Sequence, residues 1–261
     1  MDAFIAAIPD RSMRLHTTHS YQFLGLEQGR GLWHASNLES DVIISVMDTG
    51  IWPEHPSFQD HGFGPAPARW KGTCESGYEA SYGRVNETQN YKSPRAASGH
   101  GTHCASTTGG NLEQNASFYG LASGVAAGMR YTSRITVYKV CWEEPDSCQS
   151  CDIVVAIDQA IKDGVDVVSI SLGGGQANPY SEDIIVQAAF RGIQRGIFFS
   201  FSTGNDGPRI NTVDNTAPWI MTVAASYIDR SFPAIVKLGN GQIFEGISLY
   251  SGKSLMLCLV T

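Results

Sequence analysis

Short apolar runs alternate with longer segments of helical spacing along most of the chain after residue 41. The apolar runs predict five strands, at residues 42–47, 135–140, 165–172, 197–201 and 219–224. Apolar residues spaced three and four apart predict helices over residues 152–162 and 181–195, the second with Ser181 as its N-cap. Strands that are apolar throughout and alternate with helices are typical of a parallel sheet covered on both faces. We therefore predict an α/β fold of three layers, with helices on both faces of a mostly parallel sheet.

Candidate functional residues follow the predicted strands, at the end where open α/β sheets bind their ligands. Asp48 follows the first apolar run, the glycines 173–175 follow the third, and Asn205 follows the fourth. His100 lies between two glycines, ahead of a run of small residues, 102–108, that predicts a helix. A histidine at the start of such a helix can point outward while its backbone stays fixed.

The types of these residues suit acyl transfer. Histidine is suited to the role of general base because it titrates near neutral pH, and a carboxylate such as Asp48 can orient it. The side-chain amide of Asn205 can donate a hydrogen bond to an oxyanion. Each residue alone has an ordinary alternative, because Asp-Thr-Gly and Gly-Asn sequences are common in turns. A metal pair of His100 and His103 is disfavoured, because the glutamate of a zincin helix is missing.

Taken together and in this order, the three segments resemble those of the subtilisin-like serine peptidases, the subtilases. Residues 41–58, 137–142, 163–174 and 231–241 are similar to segments of the plant-type, cucumisin-like branch. The resemblance implies a serine endopeptidase that acts on proteins or peptides, with its own propeptide as a further partner and without cofactor or metal.

The resemblance also implies a role for each matching residue. Asp48 and His100 would be the catalytic acid and base, and Asn205 the oxyanion donor. Ser171, Leu172 and Gly173 would form the extended segment that pairs with the substrate and borders the S1 pocket. His103 would be a structural residue.

The chain departs from the family pattern in one decisive respect: no Gly-Thr-Ser-x-x-x-Pro segment, which would carry the nucleophilic serine, occurs in the 261 residues. We therefore expect an incomplete subtilase fold. Residues 1–16 are expected to be the tail of an inhibitory propeptide that ends before Thr17. Residues 17–247 are expected to be a partial catalytic domain and residues 248–261 a divergent tail. The rival interpretation is a catalytically inactive truncated subtilase or a peptide-binding pseudoprotease.

Composition narrows the remaining possibilities. The net charge of −7 is spread along the chain and argues against a nucleic-acid partner. No apolar run approaches the roughly 18 residues of a membrane-spanning helix, and the N-terminus lacks the features of a signal peptide. We nevertheless expect a secreted parent protein, mainly on the basis of the family resemblance. Two glycosylation sequons, at Asn86 and Asn115, and six cysteines add weaker support.

The cysteines are interpreted by the same resemblance. Cys141 and Cys148 resemble a family disulfide, Cys151 is additional, and Cys74 lacks its expected partner. A metal site in the 141–151 cluster is the disfavoured alternative, since no histidine lies nearby in sequence. A sheet that has lost strands exposes apolar edges, so we expect the isolated chain to be poorly soluble or molten.

Overall fold

A computed structural model describes residues 19–27, 29, 31–35, 41–60, 63–72, 90–143, 146–174, 178–238 and 240–249. The α-helices are α1 (Ser20–Phe23), α2 (Gly31–Ala35), α3 (His100–Gly109), α4 (Ser150–Asp163) and α5 (Ile184–Ile193). The strands are β1 (Ile43–Asp48), β2 (Glu113–Phe118), β3 (Leu121–Ala126), β4 (Arg134–Lys139), β5 (Cys141–Glu143), β6 (Asp146–Cys148), β7 (Val167–Ile170), β8 (Phe198–Ser202), β9 (Met221–Val223), β10 (Pro233–Lys237) and β11 (Ile243–Ile247). The expected propeptide tail with Thr17, the residues Cys74 and Asn86, and nearly all of the expected tail 248–261 lie outside the described residues.

The central sheet has five parallel strands in the order β4-β1-β7-β8-β9. These are the five strands that the apolar runs predict, so the prediction of a parallel α/β sheet is confirmed. The remaining described strands pair as three antiparallel hairpins, β2–β3, β5–β6 and β10–β11. The order places β1 and β7 at the centre, so the residues that follow these two strands meet at one edge of the sheet.

The two faces of the sheet are covered by different helices. On one face, Met47, Ile170 and Phe201 belong to the large core cluster that also contains buried residues of α4 and α5. Side chains alternate along a strand, so the neighbours of Met47 face the other way. There α3 lies over β1 and β4, and Gly109 packs against Ile135. Helices therefore lie on both faces, which confirms the three-layer prediction.

The start of α5 differs from the prediction. Asp183, not Ser181, is the N-cap, and its carboxylate accepts hydrogen bonds from the backbone N–H groups of Ile185 and Val186. Asp and Ser cap helices about equally well, so the sequence offered two candidates two residues apart. Residues 179–183 form a turn in which two successive N–H groups donate to the carbonyl of Pro179, and this turn delays the helix.

Much apolar surface is exposed on strands β8 and β9 and along the hairpin β10–β11. Phe198, Met221 and Val223 are about half exposed, and the side chains of Ile235 and Ile247 are 70% and 76% exposed. Exposed apolar surface of this kind and an unpaired edge at β9 favour association and loose packing. Among the described helices, none combines the length and the apolar character needed to cross a bilayer.

We expect the isolated 261-residue chain to bind the dye ANS strongly and to unfold over a broad temperature range. The physical reason is that the exposed apolar face has no covering layer in the described structure. Calorimetry and ANS fluorescence on purified chain measure both properties. A sharp, cooperative transition without dye binding would contradict this expectation.

Candidate active site

Asp48 is the last residue of β1 and is fully buried. Its Oδ1 accepts a hydrogen bond of 2.7 Å from the backbone N–H of Thr49. The same oxygen lies 2.7 Å from Nδ1 of His100, which is the first residue of α3. A central strand thus fixes the carboxylate, and the carboxylate in turn orients the imidazole ring. The side chain of His100 is 53% exposed, so the other edge of the ring is open.

Close contact between α3 and the end of β1 depends on Gly101. A Cβ at this position would lie 2.1 Å from the carbonyl oxygen of Gly50 and 3.1 Å from Oδ1 of Asp48. The clash with Gly50 is with backbone, which no rotation of a side chain relieves. Thr49 adds a further tie, because its hydroxyl accepts a hydrogen bond of 2.9 Å from the N–H of Gly101. The glycine after His100 is therefore a requirement of the geometry, since it lets the base approach the acid.

The pKa of His100 is raised to about 10, chiefly by its hydrogen bond with Asp48 and further by its contact with Cys104, while burial opposes the rise. The imidazole of this chain is therefore protonated at neutral pH. A general base must be neutral when it acts. Further burial of the ring by additional chain or by substrate would lower this pKa, because burial disfavours the imidazolium form.

We expect the pKa of His100 to lie well above 6.5 in the folded chain and to fall toward 6.5 in Asp48→Asn. Protonation of His100 then stabilises the folded state fully below pH 6.5, and the contribution disappears as pH rises through about 10. Because half of the ring is exposed, the expected size is only about 1 kcal/mol. NMR titration of the ring protons measures the pKa. A wild-type value near 6.5 would contradict the expectation.

Cys104 is a site residue that the sequence reasoning missed. Its Sγ lies 3.8 Å from Nδ1 of His100, one turn further along α3. Burial raises the pKa of the Cys104 thiol, but hydrogen bonds with His100, His103 and Ser171 outweigh burial, so the net shift is downward. The i, i+4 spacing of His100 and Cys104 was the signal in the sequence, since it places both side chains on one face of a helix.

The predicted substrate segment follows β7. Ser171 reaches the thiol of Cys104, which brings this end of β7 beside the Asp48–His100 pair. The carbonyl of Leu172 accepts hydrogen bonds from the amide of Asn215, at 2.9 Å, and from the hydroxyl of Ser202, at 3.2 Å. The amide of Asn215 also donates to the carbonyl of Ser202, at 2.8 Å, and so links the ends of β7 and β8. Sequence reasoning did not identify Asn215, because nothing local distinguishes it from other loop residues.

Asn205 and Gly173 lie in the loops beyond β8 and β7. The side chain of Asn205 is exposed, three residues after the end of β8. The loop that carries it is held to β9 by a hydrogen bond from the N–H of Thr203 to the carbonyl of Val223. Gly173 lies against the buried Asp214, whose carboxylate would be 2.7 Å from a Cβ at this position. The structure thus joins His100 directly to Asp48, and links Ser171 to this pair through Cys104. It places Asn205 on the neighbouring loop at the same edge of the sheet.

Cysteine pairing agrees with expectation for the described residues. Cys141 and Cys148 form a disulfide between β5 and β6, as the family resemblance implies. Cys151 is a free, exposed thiol, which also agrees with its interpretation as an additional cysteine. The side chain of Asn115, in the second sequon, is exposed.

Comparisons with known proteins identify the family of this chain. The model of the subtilase family matches residues 39–255. Subtilisin-like protease SBT1.5 of Arabidopsis thaliana is 48% identical over 274 aligned residues, which cover 96% of this chain and 35% of the relative. Subtilisin-like protease SBT1.6 of the same plant is 47% identical, with 96% and 36% covered. The solved structure of Sphericase matches with a TM-score of 0.46 at 23% identity, over 80% of this chain and 58% of that one.

A parallel sheet in which buried Asp48, at the carboxyl end of β1, is hydrogen-bonded to the partly exposed His100, together with the family match, defines the class: the chain belongs to the subtilase family. Within that family it belongs to the plant, cucumisin-like branch. The chain spans about a third of the length of these plant relatives.

Proposed function

We propose that the protein to which this chain belongs is a serine endopeptidase that cleaves peptide bonds by acyl transfer. The hydrogen bond of 2.7 Å between buried Asp48 and exposed His100 is the observation that carries this proposal. In this mechanism His100 takes the proton of a serine hydroxyl and later gives it to the leaving amine. Asp48 holds the ring in the required tautomer and stabilises the imidazolium that forms.

The nucleophilic serine is proposed to come from sequence that corresponds to the part of the plant relatives that this chain does not span. That part amounts to about two thirds of their length, which leaves room for a Gly-Thr-Ser-x-x-x-Pro segment. The half-exposed apolar residues Phe198, Met221 and Val223 on β8 and β9 support this arrangement, because further chain could cover them.

Asn205 is proposed to donate its side-chain amide to the oxyanion of the tetrahedral intermediate. Its exposed position beyond β8, at the same edge as His100, supports this role. Ser171 to Gly173 are proposed to align the substrate beside the base. The contact of Ser171 with Cys104 supports their proximity to the reacting bond.

The further parts of the proposal rest on the family resemblance. We propose that the substrates are proteins or peptides, that residues 1–16 belong to an inhibitory propeptide, and that the parent protein is secreted. The exposed sequon asparagine Asn115 is compatible with passage through a secretory pathway.

Replacement of Asn205 by Ala in the protein expressed from its full coding sequence tests the site directly. We expect kcat on an internally quenched peptide to fall about 100-fold to 1000-fold with little change in KM, because the lost hydrogen bond forms only in the transition state. That magnitude is the one known for the oxyanion asparagine of subtilisin, a member of this family. The exposed Asn240→Ala, in the β10–β11 turn, is the matched control. An unchanged kcat in Asn205→Ala would remove this residue from the mechanism, and a wild-type protein without peptidase activity would favour the pseudoprotease.

A further inference from the structure

Three side chains with metal-ligating atoms meet at the start of α3. One atom each of Asp48, His100 and Cys104 lies within 4.8 Å of the other two. His100 and Cys104 share a helix face, and their Nδ1 and Sγ atoms are 3.8 Å apart. Two such ligands of a tetrahedral zinc ion are separated by about 3.6 Å, given bonds of roughly 2.1 Å to nitrogen and 2.3 Å to sulfur. The helix therefore presents this pair at close to the spacing that zinc requires.

The carboxylate of Asp48 supplies an independent reason to expect a cation. Its Oδ1 carries the bonds to Thr49 and His100, whereas its Oδ2 is buried and accepts no hydrogen bond from the residues that the structure describes. A buried carboxylate oxygen without a partner is costly, and a cation satisfies it. An ion can reach the cluster from solvent, because half of the His100 side chain is exposed.

We propose that Asp48, His100 and Cys104 form a binding site for Zn²⁺, and that occupancy of this site reversibly blocks the catalytic base. Thiolate and imidazole are ligands that zinc prefers, and carboxylate completes a set of three with a fourth position for water. Binding releases the thiol proton of Cys104 and the Nδ1 proton of His100 to solvent, so it strengthens as pH rises.

Zinc would block the catalytic base because it would bind to Nδ1 of His100. This nitrogen lies 2.7 Å from Oδ1 of Asp48. Nitrogen and oxygen ligands of one zinc ion lie about 3.4 Å apart, so this hydrogen bond is replaced by two bonds to the metal. The ring then cannot become the imidazolium that acyl transfer requires. Metal binding itself does not depend on the proposed peptidase function, whereas its inhibitory consequence does.

Cobalt spectroscopy on the protein expressed from its full coding sequence tests the site. In a background with Cys74→Ser, Cys151→Ser and Cys258→Ser, and with any free cysteine outside the 261 residues also replaced by Ser, we expect one Co²⁺ to bind with a thiolate-to-metal absorption band, and Zn²⁺ to displace it. Adding Cys104→Ser should abolish the band and weaken Zn²⁺ binding by more than about 100-fold, since a direct ligand contributes more than an outer partner does. Restoring Cys151 is the matched control and should change neither result. Absence of the band in the background, or its persistence in Cys104→Ser, would overturn the proposal.

A second measurement needs no variant and so avoids any loss of folding. Alkylation of the wild-type protein expressed from its full coding sequence by iodoacetamide, followed by peptide mapping, compares two free thiols in one molecule, Cys104 and Cys151. At a Zn²⁺ concentration of about 100 times Kd, modification of Cys104 should slow about 100-fold while that of Cys151 is unchanged. Equal rates with and without zinc would overturn the site. In the protein from the full coding sequence, we expect zinc to inhibit peptidase activity and Cys104→Ser to remove this inhibition. That result would support the proposed block of the catalytic base. Zinc binding without any peptidase activity would refute the proposed function but not the metal site.

Discussion

His100→Ala is expected to abolish peptide hydrolysis by the protein expressed from its full coding sequence, with kcat lower by about 10⁶-fold. That magnitude is the one known for the histidine of subtilisin, a member of this family. The physical reason is that His100 is hydrogen-bonded to Asp48 and presents the other edge of its ring to solvent, from where it can take the serine proton. KM should change little, because the ring contributes to the reaction rather than to ground-state binding.

The measurement is the rate of cleavage of an internally quenched peptide under saturating conditions, with folding checked by circular dichroism. His55→Ala is the matched control, because His55 is exposed and caps the short 3-10 turn at Pro56–Phe58 instead of contacting Asp48. We expect this control to retain the wild-type kcat. A loss of less than tenfold in His100→Ala would mean that a different residue is the base.

Asp48→Asn is expected to lower kcat by about 10⁴-fold, the size known for the same change in serine peptidases of unrelated fold. The amide keeps the volume of the carboxylate, so the buried end of β1 is preserved. The uncharged amide is, however, a weaker acceptor of the hydrogen bond from the ring N–H at Nδ1. When its NH2 group faces the ring instead, it favours the wrong tautomer of His100. The loss should be smaller than that in His100→Ala, because the base is still present.

A double variant separates an orienting role from a purely structural one. Asp48→Asn and His100→Ala act on one hydrogen-bonded unit, so their combined effect should equal that of His100→Ala alone. Asp60→Asn, at an exposed acid, is the matched control and should leave kcat unchanged. Losses that multiply in the double variant would show that Asp48 acts independently of His100.

Sequence reasoning identified the parallel sheet because each of its five strands lies in a short, mainly apolar run. It missed the hairpins β2–β3 and β5–β6, because polar residues dominate Glu113–Phe118 and Asp146–Cys148 and neither segment shows alternating apolar positions. Strand boundaries differ by one or two residues, as at β7, where the apolar run begins at residue 165 and pairing begins at Val167. Burial and pairing are separate properties, and only burial is visible in the hydrophobic pattern.

The Asp48–His100 pair was predictable because both residues lie in distinctive segments whose positions the sheet topology constrains. The contacts that complete the site were not. Cys104 reaches His100 through helix geometry, but its neighbour Ser171 comes from β7 and joins it only through tertiary packing. The role of Asn215 at Leu172 likewise depends on how two loops approach each other. The elevated pKa of His100 follows chiefly from its hydrogen bond of 2.7 Å with Asp48, a distance that residue identity alone does not reveal.

Labelling of the native protein with a fluorophosphonate, followed by peptide mapping, tests whether His100 activates a serine. This reagent modifies only a serine that an adjacent base has activated. We expect one labelled serine, in a Gly-Thr-Ser segment outside the 261 residues, and loss of labelling in His100→Ala. Absence of labelling in the folded wild-type protein, or a labelled hydroxyl within residues 1–261, would mean that His100 is not the base of a serine peptidase.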